Sequence, residues 1–231
     1  MHDSRPRSVL LGGCALTFLC ASVNAGYMIL LGTSVSHLTG DITRLAIDQV
    51  RGIPFLGDAE LRLLAATAGF VSGAAAAGFF IHHPKLEFSR PYGRAITGIG
   101  LMLLAAHFCF RTHPNLATLL AAAGCGLQNA LASFYRGMIV RTTHATGLLT
   151  DLGSALGMRL RGHEIELWRV TTPLALVVSL FLGASFGAYM VLREAALFPL
   201  SAAFAYLAAG LLWSLLKHVI LPRIARRRPP G

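Results

Sequence analysis

Six long apolar runs constrain this chain more than any other feature of its sequence. A bilayer core of about 30 Å needs roughly twenty apolar residues per helix, and every backbone group within it must be hydrogen-bonded internally. Apolar residues make up 55% of the chain and charged residues only 13%. The pattern therefore predicts an all-α, polytopic membrane protein of about six transmembrane helices. The runs cover residues 8–31, 63–81, 95–110, 116–140, 170–192 and 195–216.

The positive charge is distributed as membrane topology requires. The net charge is +10, but the 20 Lys and Arg residues lie between apolar runs and not in one stripe, which argues against nucleic-acid binding. Most of them fall at the two termini and in the second and fourth loops, which predicts cytoplasmic termini. An alternative for the N-terminus is a cleaved signal peptide, because Arg5 and Arg7 precede an apolar run that ends in small residues.

Two segments recur in the same order, which predicts an internal duplication. Residues 20–25 (CASVNA) match residues 125–130 (CGLQNA), and residues 36–40 (SHLTG) match residues 143–147 (THATG). Further along, Gly69 and Gly73 match Gly183 and Gly187, and Pro91 matches Pro199.

The duplication predicts two three-helix repeats within one membrane domain. The first covers residues 1–113 and the second covers residues 114–231. Because three spans are an odd number, the second repeat enters the membrane from the opposite side, so the repeats are predicted to be inverted.

The polar residues of the repeated segments are the candidates for binding a solute. Thr and Gly at a helix start can cap backbone N–H groups or let a ligand approach them, and the helix N-terminus carries a partial positive charge. Two such starts directed at the midplane would hold a polar or anionic solute. The candidate path residues are Asn24, His37, Thr39, Gly40, Gln128, Asn129, Thr143, His144, Thr146, Gly147 and Asp151.

Each of these features also has a purely structural interpretation. Each helix start can belong to an interfacial helix that lies flat, and the amides of Asn24 and Asn129 can join helices instead of lining a path. We expect the four glycines of the two matched pairs to serve helix packing. A third possibility is a metal route lined by His37, His107 and His144.

No catalytic motif and no paired-cysteine metal site occurs in the sequence, so we expect a protein that is not an enzyme and holds no cofactor or metal. The expected partners are the lipid bilayer, a small polar or anionic solute and a second copy of the chain in a homodimer.

The repeated segments also carry a resemblance to a known family. Residues 24–27 (NAGY), 37–40 (HLTG), 127–130 (LQNA) and 142–153 (TTHATGLLTDLG) resemble the YoaK family of bacterial inner-membrane proteins, a domain of unknown function. The resemblance covers nearly the whole chain and implies a bacterial membrane location, but no substrate. The residues themselves favour a small-solute carrier or channel, and the alternative is a membrane scaffold or accessory protein that transports nothing.

Overall fold

The computed structural model describes residues 5–54, 57–81, 92–131, 134–135, 138–139 and 144–220. Eight α-helices account for nearly all of these residues, which confirms the prediction of a helical fold. In chain order they are α1 (Arg5–Leu31), α2 (Leu38–Val50), α3 (Asp58–Ile81), α4 (Tyr92–Cys109), α5 (Pro114–Leu131), α6 (Ala145–Leu160), α7 (Trp168–Glu194) and α8 (Phe198–Leu215).

Four stretches of the described residues are long and apolar enough to cross a membrane, which identifies a membrane protein. The last stretch runs from Trp168 to His218 and contains both α7 and α8, which are joined only by the 3₁₀ turn Ala195–Leu197. The α5 helix is not among the four, because polar residues such as Asn115, Gln128 and Asn129 lower its hydropathy.

The fourth predicted span is wrong at its C-terminal end. The apolar run continues to residue 140, but α5 ends at Leu131. Two short strands follow, β1 (Phe134–Tyr135) and β2 (Met138–Ile139), which pair antiparallel. Hydrophobicity alone does not distinguish a helix from a strand in a short apolar run, so the end of α5 was not predictable from the apolar pattern. Of the predicted match between Pro91 and Pro199, the structure describes only Pro199, which lies in the first turn of α8. Pro91 lies outside the described residues.

The chain packs into two units. One comprises residues 1–63 and 140–198 and contains α1, α2, α6, α7 and the start of α3. The other comprises residues 64–139 and 199–231 and contains the rest of α3 with α4, α5 and α8. Each unit therefore takes helices from both predicted repeats.

In the first unit, α1 and α7 pack closely because α7 presents glycines at the crossing. A Cβ atom at Gly183 would overlap the backbone carbonyl of Phe18, and one at Gly187 would overlap that of Ser22. Both contacts advance in the same direction along the two helices, so α1 and α7 are parallel. Small residues at a crossing allow helix backbones to approach within van der Waals contact in a membrane.

In the second unit, α3 and α5 cross in the same way. A Cβ at Gly69 would overlap the Leu119 carbonyl, and one at Gly73 would overlap the Ala123 carbonyl, so these helices are also parallel. The four glycines of the two predicted pairs therefore all lie at helix crossings.

The remaining two helices of the second unit run in opposite directions. On α4, Gly93 lies against Ser214 of α8, and Gly100 lies against Leu207. The contact moves backward along α8 as it moves forward along α4, so the pair is antiparallel. The short connection of residues 110–113 makes α4 and α5 antiparallel neighbours as well.

The short helices α2 and α6 end with the same backbone motif, which is not among the predicted matches between the repeats. Gly52 follows α2 with φ of 78°, and Gly162 follows α6 with φ of 90°. In each case the amide after the glycine bonds back to the helix: Ile53 N to Asp48 O at 3.0 Å, and His163 N to Met158 O at 3.1 Å. These are Schellman caps, which favour glycine because a Cβ strains the left-handed conformation.

Candidate functional site

The side-chain oxygen of Asn24 holds the loop between α1 and α2. Asn24 Oδ1 accepts three hydrogen bonds, from the hydroxyl of Ser34 at 2.7 Å and from the backbone amides of Val35 and Ser36 at 2.9 Å each. All four residues are buried. The amide therefore folds the connecting loop against its own helix, which was neither of the two roles expected from the sequence.

The start of α2 completes this network. Asp41 Oδ2 accepts the backbone N–H of Ser34 at 2.7 Å, and the Ser34 hydroxyl accepts the N–H of His37 at 2.8 Å. The Nδ1 atom of His37 lies 2.8 Å from the Ser36 hydroxyl. His37 makes no side-chain cap to its own helix. Thr39 and Gly40 are exposed, and a Cβ at Gly40 would meet open space.

The start of α6 uses the same residue types differently. His144 Nδ1 accepts the backbone N–H of Gly147 at 3.0 Å, which makes this histidine the N-cap. A Cβ at Gly147 would overlap that nitrogen, so glycine is required there for the cap. Threonine was the capping residue expected for binding a solute, whereas histidine makes the described cap of α6. The bond also fixes the tautomer, because an accepting Nδ1 leaves the proton on Nε2.

The other candidates at this end are not brought into a site. Thr146 and Asp151 are exposed on α6, and Thr143 lies outside the described residues. The Thr146 carbonyl accepts a hydrogen bond from the Thr150 hydroxyl at 2.9 Å, an ordinary bond within a helix.

Both short helices expose large apolar side chains. On α2, Ile42 and Val50 are 49% and 90% exposed, and on α6, Leu149 and Leu160 are 51% and 90% exposed. The 13 residues of α2 measure about 20 Å, which is shorter than a bilayer core. This geometry favours the interpretation that each helix lies flat at the lipid interface.

The second amide site is buried in the second unit. The hydroxyl of Tyr206, in the middle of α8, donates to Gln128 Oε1 at 2.6 Å, and each residue is 1% exposed. Asn129, the next residue, is half-buried. Sequence reasoning missed Tyr206, although its position offered a clue: it lies at the centre of an apolar run, far from the interface where tyrosine is usually found.

His107 lies half-buried in the last turn of α4, with its ring 5.5 Å from that of Phe108. Within the described part of the chain, no three His, Cys, Asp or Glu side chains come close enough to hold a metal ion. The proposed histidine-lined metal route gains no support from these residues.

A known protein family matches residues 12–214 of the chain. The description of that family is "Protein of unknown function (DUF1275)". The chain belongs to this family. DUF1275 includes YoaK-like bacterial membrane proteins, so the resemblance found in the repeated segments is confirmed. Neither a curated protein nor a solved structure matches the chain. Membership in DUF1275 thus brings a membrane fold but no activity, and function has to be argued from the residues.

Proposed function

We propose that this DUF1275 protein is a small-solute carrier or channel of the bacterial inner membrane, built from two inverted three-span repeats. The observation that carries the proposal is the reciprocal pattern of helix crossings. The first span of one repeat, α1, packs on the second span of the other, α7, and the converse pair α5 and α3 packs in the same way. If a two-fold axis relates the repeats, each contact between them must occur twice, so the contact of α1 with α7 requires an equivalent contact of α5 with α3. The third spans, α4 and α8, contact each other, as helices next to the axis would.

The register of the crossings also agrees with a duplication. Phe18 and Ala123 are separated by the same number of positions as Asn24 and Asn129. Gly183 contacts Phe18, and Gly73 contacts Ala123. The crossings therefore favour Gly73, not Gly69, as the counterpart of Gly183, one turn away from the match made on sequence alone.

The helix directions favour six spans. Since α8 is antiparallel to α4, and α4 is antiparallel to α5, α8 runs in the same direction as α5. Successive spans alternate in direction, so two spans that run the same way must have an odd number of spans between them. Between α5 and α8 this condition is met if α7 alone crosses the membrane, and it is not met if α6 crosses it as well. The parallel pair α1 and α7 excludes α2 as a span by the same argument. With α6 excluded, α3, α4 and α5 are the three spans between α1 and α7, and α2 would make that number even. Under this topology α1 and α5 run in opposite directions, so α2 and α6 follow them on opposite faces.

The buried pair Gln128 and Tyr206 is the polar group around which we propose that the path forms. A hydrogen-bonded amide and phenol in the core of a membrane domain mark either a helix contact or a lined pathway. With both side chains 1% exposed, the path would be closed in this conformation and would open by relative movement of the helices that carry them.

A second candidate function is a scaffold or accessory protein. The loop network of Asn24 favours it, because an amide oxygen that already accepts three hydrogen bonds has no capacity left for a solute. The proposal accordingly assigns Asn24 to loop anchoring and leaves the path to Gln128, Asn129 and Tyr206.

Topology is tested first, by labelling single cysteines at positions 37 and 144 in a background without Cys14, Cys20, Cys109 and Cys125. In right-side-out and inverted vesicles, position 37 should react from the outer side only and position 144 from the inner side only. Both positions reacting from one side would refute the inverted repeat.

Transport is tested by stopped-flow light scattering of proteoliposomes challenged with a panel of small neutral and anionic solutes. We expect faster flux of at least one solute than in empty liposomes, and a reduction of that flux by Gln128→Leu. Flux equal to that of empty liposomes for the whole panel would favour the scaffold.

A further inference from the structure

A small acidic cavity lies where α2 meets the first turn of α3. Its volume is about 10 Å³, which leaves room for a single water-sized ligand. The charged side chains that line it are the carboxylates of Asp41, Asp48 and Glu60 and the guanidinium of Arg44. All of these residues belong to the first packing unit.

Two of the three carboxylates already have partners. Asp41 accepts the Ser34 N–H at 2.7 Å. Asp48 lies 3.8 Å from the guanidinium groups of both Arg44 and Arg51. Glu60 is the lining carboxylate for which the described residues show neither a hydrogen bond nor an ion pair.

Glu60 is only 7% exposed and faces the cavity. Its carboxylate makes no hydrogen bond or ion pair among the described residues. Burying an unpaired carboxylate is costly, and proteins reduce this cost by supplying a cation or by neutralising the group. Glu60 lies in the first turn of α3, where the partial positive charge of the helix N-terminus stabilises a carboxylate only in part.

We propose that this cavity binds one small monovalent cation, such as Na⁺, through Glu60. Hard cations take oxygen ligands, and carboxylates are common among them. One unpaired carboxylate balances a single charge, and the cavity accommodates a single small ion. A zinc-type site does not fit, because no three ligating side chains converge among the described residues. The site stands independently of transport, since it rests on the first unit alone.

The test is the melting temperature of the purified full-length chain in detergent, titrated with NaCl against choline chloride at constant ionic strength. A cation that binds only the folded state raises the melting temperature, by about 3–6 °C at ten times its dissociation constant. Glu60→Gln should abolish the sodium-specific rise. Asp58→Asn is the matched control, because Asp58 is an exposed carboxylate on the same helix turn, and this variant should keep the rise.

Arg44→Gln provides a second test with the opposite sign, and it remains available if Glu60→Gln does not fold. Arg44 is 56% exposed and makes only a long contact with Asp48, so its removal should leave the fold intact. Losing one positive charge beside the cavity should lower the sodium concentration that gives the half-maximal rise. Equal melting temperatures in sodium and choline, an unchanged sodium response in a folded Glu60→Gln variant, or weaker sodium binding by Arg44→Gln would each overturn the proposal.

Discussion

Replacing Asn24 by alanine should detach the loop that joins α1 to α2. The substitution removes the acceptor of two backbone N–H groups, those of Val35 and Ser36, which are 0% and 7% exposed. A buried donor left without a partner costs about 1–3 kcal/mol, so two of them cost about 2–6 kcal/mol. The Ser34 hydroxyl adds little, because it can rotate toward another acceptor. For a chain of this length, the melting temperature should fall by roughly 5–20 °C.

The isosteric variant Asn24→Asp separates the hydrogen-bonding role from side-chain packing. A carboxylate keeps an acceptor in the same place, so this variant should recover more than half of the lost stability. The matched control is Thr17→Val on the same helix. The hydroxyl of Thr17 is buried and has no hydrogen-bond partner in the described structure, so its replacement by a methyl group should not lower the stability and should raise it by up to about 1–3 kcal/mol.

The assay combines thermal melting in detergent with amide hydrogen exchange over residues 33–37. Exchange at Val35 and Ser36 should accelerate in Asn24→Ala and remain slow in Thr17→Val, because only the first variant frees these amides. The reasoning is refuted if Asn24→Ala melts within about 2 °C of the parent chain and exchanges these amides at the parent rate.

Two further predictions concern the second helix start and the buried amide. Gly147→Ala should be less stable than Gly40→Ala by about 0.5–2 kcal/mol in chemical denaturation. Both variants gain helix propensity, but only Gly147→Ala loses a cap. Equal stabilities would contradict the cap geometry. Tyr206→Phe should cost about 0.5–1.7 kcal/mol, and a double-mutant cycle with Gln128→Leu should give a coupling energy of similar size; no coupling would mean that the hydrogen bond contributes nothing.

The sequence was sufficient to predict the fold class, because apolar runs of membrane length have few alternatives. The ends of the helices were predicted less well where charged residues interrupt or precede an apolar run. The α3 helix begins at Asp58, five residues before the predicted span, since Asp58 and Glu60 are stabilised at a helix N-terminus although they interrupt the apolar run.

The role of Asn24 was not predictable from side-chain patterns. Its partners at Val35 and Ser36 are backbone amides, which every residue other than proline possesses, so no sequence motif identifies them. The Arg-Gly ends of α2 and α6, at residues 51–52 and 161–162, did have a sequence signature. These two ends match in both sequence and backbone geometry, but they lie at the opposite ends of α2 and α6 from the repeated polar and glycine motifs.

The two helix starts differ in a way that bears on any alternating mechanism. At α2, the residues before the helix are tied to α1 by Asn24 and to the helix itself by Asp41, so this start moves only together with α1. At α6, the described cap is local, from His144 to Gly147, and it does not by itself fix the helix to α5. If the repeats are inverted, these starts lie on opposite faces, and on the face of α2 the helix start is coupled to the preceding span through Asn24. We therefore expect cysteine labelling at position 37 to respond to solute only when α1 itself moves, and Asn24→Ala should uncouple this labelling from the movement of α1.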